Sequence, residues 1–197
     1  MSDAIKHECG ISVIRLLKPL EYYKEKYGTA FYGVNKMYLM MEKQHNRGQD
    51  GAGIVNVKIG MPPGHKYISR ERSNTDTPLK DIFNKAYEPF VKLEKENPTL
   101  LNDVNYLKMN HRFTGEVYMG NRRYGTFGIN AIDSIHPVLR TNNWKTRNLI
   151  LSGNFNLTNV SELFDRLVSF GQYPTETSDT ITMLEKIGHF LDEENEE

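Results

Sequence analysis

Gly48, Gly51 and Gly53 fall within six residues and separate two segments of opposite character. Before them, Phe31, Val34, Met37, Tyr38 and Met41 recur at helical spacing, which predicts an amphipathic helix ending near Gln44. After them, Ala52 to Val57 reads as a β-rich strand. Upstream, Gly10 to Leu16 (GISVIRL) is another apolar strand, so the chain opens strand, helix, strand. Elements of this kind bury their apolar sides by stacking helices on a sheet.

The rest of the chain extends that pattern. Gly60 to Gly64 (GMPPG) marks a turn. Leu79 to Glu96 predicts a helix with Leu79, Ile82, Phe83, Ala86, Phe90 and Leu93 on one side, stopped by Asn97-Pro98. Glu116 to Met119 and Leu149 to Leu151 are short strands, each running into a glycine-asparagine turn. Val160 to Phe170 and Asp179 to Leu191 close the chain as helices, the last with Ile181, Leu184, Ile187, Gly188 and Leu191 as its packing stripe. The fold class expected is α+β, with helices covering sheet faces.

A chain of 197 residues suits one large domain with a substantial core. Its 25 basic and 25 acidic residues cancel, which argues against a dedicated nucleic-acid or anionic-membrane surface. The leader MSDAIKHE has no apolar run and is not a signal peptide, and no stretch has the length to span a bilayer. The single cysteine excludes an internal disulfide framework and fits a reducing, cytoplasmic setting. The histidines at 7, 45, 65, 111, 136 and 189 show no zinc-like spacing with it, so no metal site is expected. The closing LDEENEE suits a natural tail and equally a cut between two domains.

That cysteine, Cys9, stands behind eight residues and is followed by Gly10-Ile11. Without Met1 to Glu8 it would carry a thiol nucleophile and an α-amine base on one residue. The plain alternative is a small buried hydrophobe. Four further segments bear on the choice. The first, Gln44 to Ile54, crowds glycines before a strand, as a simple turn does and as a close backbone approach requires. Next, Gly120 to Gly128 sets arginine among glycines, which suits a bidentate carboxylate clamp or a solvated basic loop. Ser152 to Asn159 offers Asn154 as an oxyanion donor, beside the ordinary reading of Thr158 or Asn159 as a helix cap. In Thr177 to Thr180, Ser178 or Asp179 is a helix N-cap, and Asp179 also suits an ammonium group.

Taken in order, these residues resemble the class II, N-terminal-nucleophile glutamine amidotransferases, most of all the glutaminase domains of amidophosphoribosyltransferases. The matching positions are Cys9-Gly10-Ile11, Arg47 to Ile54, Arg123 to Gly128, Asn154, Asn156 to Asn159 and Ser178-Asp179-Thr180. The resemblance runs nearly end to end, apart from an insertion at about 59–115. Glu8 before Cys9 resembles the short propeptides of some members, so 1–8 would be a leader and 9–197 the amidotransferase domain.

The resemblance implies a four-layer αββα sandwich and hydrolysis of glutamine to glutamate and ammonia. Cys9 would attack the side-chain amide, with its own α-amine moving the proton. Asn154 and the backbone N–H of Phe155 would form the oxyanion hole. Arg123 would clamp the substrate carboxylate under Thr126, Asp179 would hold its ammonium, and Gly48 would offer backbone contact near the nucleophile. Arg47 and Tyr124 would support them. Two positions depart from the family: Asn121 replaces a histidine, and Gly153-Asn154-Phe155 replaces histidine-asparagine-glycine. At Phe155 a left-handed backbone would bring strain.

The partners implied are glutamine and the phosphoribosyltransferase domain of the same full-length protein, which would pass ammonia to phosphoribosyl pyrophosphate in purine biosynthesis. A homo-oligomer is compatible, and neither nucleic acid nor membrane is expected. That second domain is absent from the sequence. No cofactor is expected in this chain, and Mg2+ would be compatible with the absent domain. Two other readings share the scaffold: the ammonia source of a different class II synthase, and a non-catalytic interaction module.

Overall fold

The computed structural model describes residues 9–124, 132–155, 157–174 and 176–196. It divides into two compact units, one reaching His136 and the other beginning at Pro137.

In the first unit, β1 (Gly10–Arg15), α1 (Leu20–Tyr27), α2 (Tyr32–Lys43), β2 (Gly51–Val57), β3 (Ile68–Ser73), α3 (Pro78–Glu96), α4 (Val104–Asn110) and β4 (Val117–Arg123) follow in order. The strands form an antiparallel sheet of order β1-β4-β2-β3. Helix α2 lies over β1 and β4, and α3 lies over β2 and β3. The expected helical stripes are what they bury. Val34, Met37 and Met41 of α2 and Leu79, Ile82, Phe83 and Ala86 of α3 close on Ala52, Ile54 and Tyr118 of the sheet. A second cluster, with Leu16, Leu20, Ala30, Leu93, Val104 and Leu107, fixes α1 and α4 beyond the sheet's end. Side chains alternate along a strand, so Ile11 and Val13 of β1 point to the face without helices, where they are 41% and 54% exposed.

Three differences from the sequence expectation affect the site. The strand expected over Glu116 to Met119 runs on to Arg123. Asn121 and Arg122 pair there with both β1 and β2, and two ladders override the turn tendency of Gly120-Asn121. The solvated basic loop is therefore corrected at Arg122, which is 5% exposed. The segment 59–115, expected as an insertion carrying one helix, supplies β3, α3 and α4. Strand β3 (ISRERS) turns Ser69 and Ser73 inward, so it has no apolar alternation to read.

In the second unit, β5 (Val138–Arg140) and β6 (Leu149–Leu151) pair antiparallel, followed by α5 (Val160–Ser169) and α6 (Asp179–Glu194). Helix α6 packs on both strands and on α5. Its buried positions are Thr180, Thr182, Leu184 and Gly188, while Ile181, Ile187 and Leu191 are only partly buried. The expected stripe is corrected by a polar tie. The Arg140 side chain lies across Gly188, with Nε donating to Glu185 Oε2 at 3.0 Å and the guanidinium gripping the Asp192 carboxylate. Among the described residues no helix is long and apolar enough to cross a membrane.

Candidate functional site at the glycine loop and the end of β4

Cys9 is unpaired and half-buried, one residue before β1, so the buried-hydrophobe alternative is not what the structure shows. The ladder pairs Gly10 with Arg122 and Gly51 with Arg123. One further step along it sets Cys9 across from Arg123, and the alternation places both side chains on the face away from α2 and α3.

The end of α2 closes over this corner. Gln44 Nε2 donates to the Ile11 carbonyl at 3.2 Å. A Cβ on Gly10 would come within 2.6 Å of Gln44 Oε1 and 3.3 Å of Arg47 Cβ, so a side chain there would displace the Gln44 carboxamide and crowd Arg47. Gly48 is tighter still. Its missing Cβ would lie 2.6 Å from the Arg123 carbonyl carbon and 2.7 Å from its oxygen, main-chain atoms that no rotamer can move aside. Asp50 N donates to the Arg123 carbonyl at 3.1 Å. The crowded glycines thus serve a close backbone approach, the loop lying directly on the end of β4.

Arg122 was not anticipated as a site residue. It is buried on the helical face, with Nε donating to the Gly48 carbonyl at 2.7 Å and Nη1 to the Met41 carbonyl at 3.4 Å. Desolvation holds its pKa below the ordinary arginine value, with Glu42 opposing that shift. Once the strand is known to reach Arg123, the alternation from Tyr118 through Gly120 points Arg122 inward. Arg123 is half-buried, and its Nη1 donates to the Ser134 carbonyl. The guanidinium expected to clamp a carboxylate is thus docked on main chain, while its Nε is buried without a partner.

The first unit therefore sets Cys9 and Arg123 side by side on the open face, with Gly48 on the Arg123 main chain and Arg47 against the opposite, helical side of Gly10, while Tyr124 is exposed at the strand's end. Thr126 lies outside the described residues. Asn154, Phe155 and Asp179 belong to the second unit. There, Asn154 is exposed just after β6, and the Phe155 ring rests on Gly153. Among the described non-glycine residues the left-handed backbone falls at Phe113 (φ 58°), so Phe155 does not carry the anticipated strain. Ser178 caps α6, accepting from Ile181 N at 3.3 Å, and Asp179 Oδ1 accepts from Thr180 N at 2.7 Å. Asn159, one of the two residues expected there, holds the cap position of α5, without a side-chain bond to the helix.

A separate cleft of about 580 Å³ opens on the other side of the sheet, between α2 and α3. Being on the helical side, it is not the Cys9 corner.

The fold is α+β, antiparallel strands under helices in each unit. No protein-family model and no curated protein matches the chain. Among solved structures it is similar to one described as the structure of the allosteric regulatory enzyme of purine biosynthesis, with a TM-score of 0.50 and 19% identity. The match covers 88% of this chain and 28% of that one. The chain thus spans little more than a quarter of that enzyme, and the likeness is one of fold.

Proposed function

We propose that this chain is the glutamine-hydrolysing domain of an amidophosphoribosyltransferase-like enzyme, with Cys9 as its nucleophile. The observation that carries the reading is the register that sets Cys9 across from Arg123, with the Gly48 loop lying on the same strand end. Two further points support it. The structural neighbour is an enzyme of purine biosynthesis. Among the described residues of the first unit, α2 and α3 cover one face of the sheet and leave the other to be covered, as a four-layer αββα sandwich requires of each of its sheets.

Removal of residues 1–8 frees the α-amine of Cys9, which takes the thiol proton. The sulfur attacks the side-chain amide carbon of glutamine, and the resemblance assigns the resulting oxyanion to the amide N–H of Phe155 and the Asn154 carboxamide. The amine returns the proton to the leaving nitrogen, ammonia departs, and water then releases glutamate from the thioester. Arg123 exchanges its Ser134 contact for the substrate carboxylate, and the resemblance assigns the ammonium to Asp179 and a further substrate contact to Thr126. Ammonia would pass to a phosphoribosyltransferase domain outside this sequence.

The test compares the full chain with protein beginning at Cys9, using glutamine hydrolysis and labelling by an electrophilic glutamine analogue. Hydrolysis and labelling in the trimmed form, both abolished in Cys9→Ala, are expected. Full-length mass with undiminished glutaminase activity would refute the maturation step. A well-folded trimmed protein that neither hydrolyses glutamine nor takes the label would leave the non-catalytic module as the better account.

A further inference from the structure

The cleft between α2 and α3 plays no part in glutamine hydrolysis, yet it is built from unused hydrogen-bond donors. Arg122 lines it from beneath. Its guanidinium bonds two main-chain carbonyls, and no described carboxylate is paired with it. No described residue bonds Nη2, and Arg122 is among the residues that line the cleft. A side chain only 5% exposed and tied to Gly48 is held rigid, so this donor is fixed in place.

The N-terminus of α3 opens into the same space, through Thr77, Leu79 and Lys80. This 19-residue helix has no side-chain cap, and its first intrahelical bond is Asp81 N to the Thr77 carbonyl at 3.0 Å. The amides of Leu79 and Lys80 precede that bond, Pro78 has none, and the Asp81 carboxylate is engaged with Ser73 and Lys85. Unsatisfied amides at a helix start, with the dipole's positive end, favour an oxyanion. Tyr38, packed edge-on to Phe83 at 5.1 Å, supplies an aromatic wall. Glu42, whose charge acts on Arg122, and Asp76 also line the cleft, so it is not cationic overall. Selectivity then comes from directed N–H donors.

We infer that this cleft is a binding site for a small aromatic oxyanion. Its phosphate or carboxylate group sits between Arg122 Nη2 and the first turn of α3, and its ring lies against Tyr38 and Phe83. The site is independent of glutamine hydrolysis and lies on the opposite side of the sheet.

Calorimetric titration of the full chain with phenyl phosphate, inorganic phosphate, phenol and benzoate tests it. Phenyl phosphate or benzoate should bind at least about ten-fold more tightly than inorganic phosphate or phenol, because both halves of the site are filled. The better of the two tells which oxyanion fits. Arg122→Ala risks the fold, so the variants are Thr77→Asp and Lys80→Glu. Each places an acid where a helix start welcomes it, and folding stability should hold or rise. Both should weaken binding by about ten-fold or more, like charge repelling the ligand. Absence of binding by the wild-type chain, or equal affinity in both variants, overturns the inference. Glutamine appears nowhere in this readout, so its outcome is independent of the glutaminase assay.

Discussion

Arg122 Nε donates to the Gly48 carbonyl at 2.7 Å, so a buried cation on β4 holds the loop that follows α2. Without that bond the loop has no other described side-chain donor on this carbonyl. Arg122→Met keeps the bulk and removes the donor. A buried carbonyl left unsatisfied costs about 1–3 kcal/mol, partly offset here because the desolvated charge is gone as well. The expected net loss is about 1–2 kcal/mol by urea unfolding. Hydrogen exchange should accelerate at Gly48 to Asp50 while α3 keeps its protection. An unchanged loop would mean that Arg122 fills space and no more.

Gly48→Ala tests the same contact from the other side. The added methyl meets the Arg123 main chain at 2.6 Å, so either the loop or the end of β4 must shift. Overpacking of this kind costs about 1–3 kcal/mol. On the proposed reading Arg123 moves relative to Cys9, and glutamine hydrolysis should fall about 100-fold or more, as small misplacements at a reacting centre do. Activity that tracks stability alone would detach the glycine loop from the chemistry.

The two faces of the sheet differ in how far the sequence exposes them. The helical side was readable because Val34, Met37 and Met41, and Leu79, Ile82, Phe83 and Ala86, repeat at the period of one buried helix face. Strand β3 was hidden because serines fill its inward positions. Arg122 was hidden because a charge next to glycine and asparagine reads as a loop, until pairing on both sides makes it a central strand. The residues of the Cys9 corner were nameable from their types and order. Their juxtaposition depends on the register between β1 and β4, set by pairing between segments far apart in sequence. The Arg123 contact with Ser134 left no mark in the sequence, since its acceptor is main chain.

Asp192 makes the second unit acid-sensitive. Its hydrogen bond with Arg140, the largest cause, holds its carboxyl below the ordinary value of 3.8. A folded pKa below the unfolded one contributes stability above the unfolded value and loses it as pH falls through the folded one. Below about pH 4, then, α6 should loosen from the β5–β6 hairpin. Asp192→Asn should lower stability at pH 7 and flatten the acid limb of unfolding followed by α6 amide exchange. An acid limb identical in the variant would refute the tie.

Lys58 gives the opposite sign in the first unit. It is 4% exposed, and desolvation, then the charge of Lys108, lowers its pKa from 10.5 to about 8 against the pull of Glu116. Between about pH 8 and 10.5 the unfolded chain binds the extra proton, so stability should rise with pH across that window. Below pH 8 the burial penalty is present in full, on the order of 3 kcal/mol at most. Lys58→Met removes that penalty together with the 2.6 Å bond from Lys58 Nζ to the Lys108 carbonyl, itself worth about 1 kcal/mol. The variant should therefore be about 1–2 kcal/mol more stable than wild type at pH 7 by urea unfolding. Near pH 10.5 that advantage should vanish, because the wild-type lysine is then neutral when folded. Parallel pH profiles for the two proteins would show that Lys58 keeps its charge solvated, contrary to its burial.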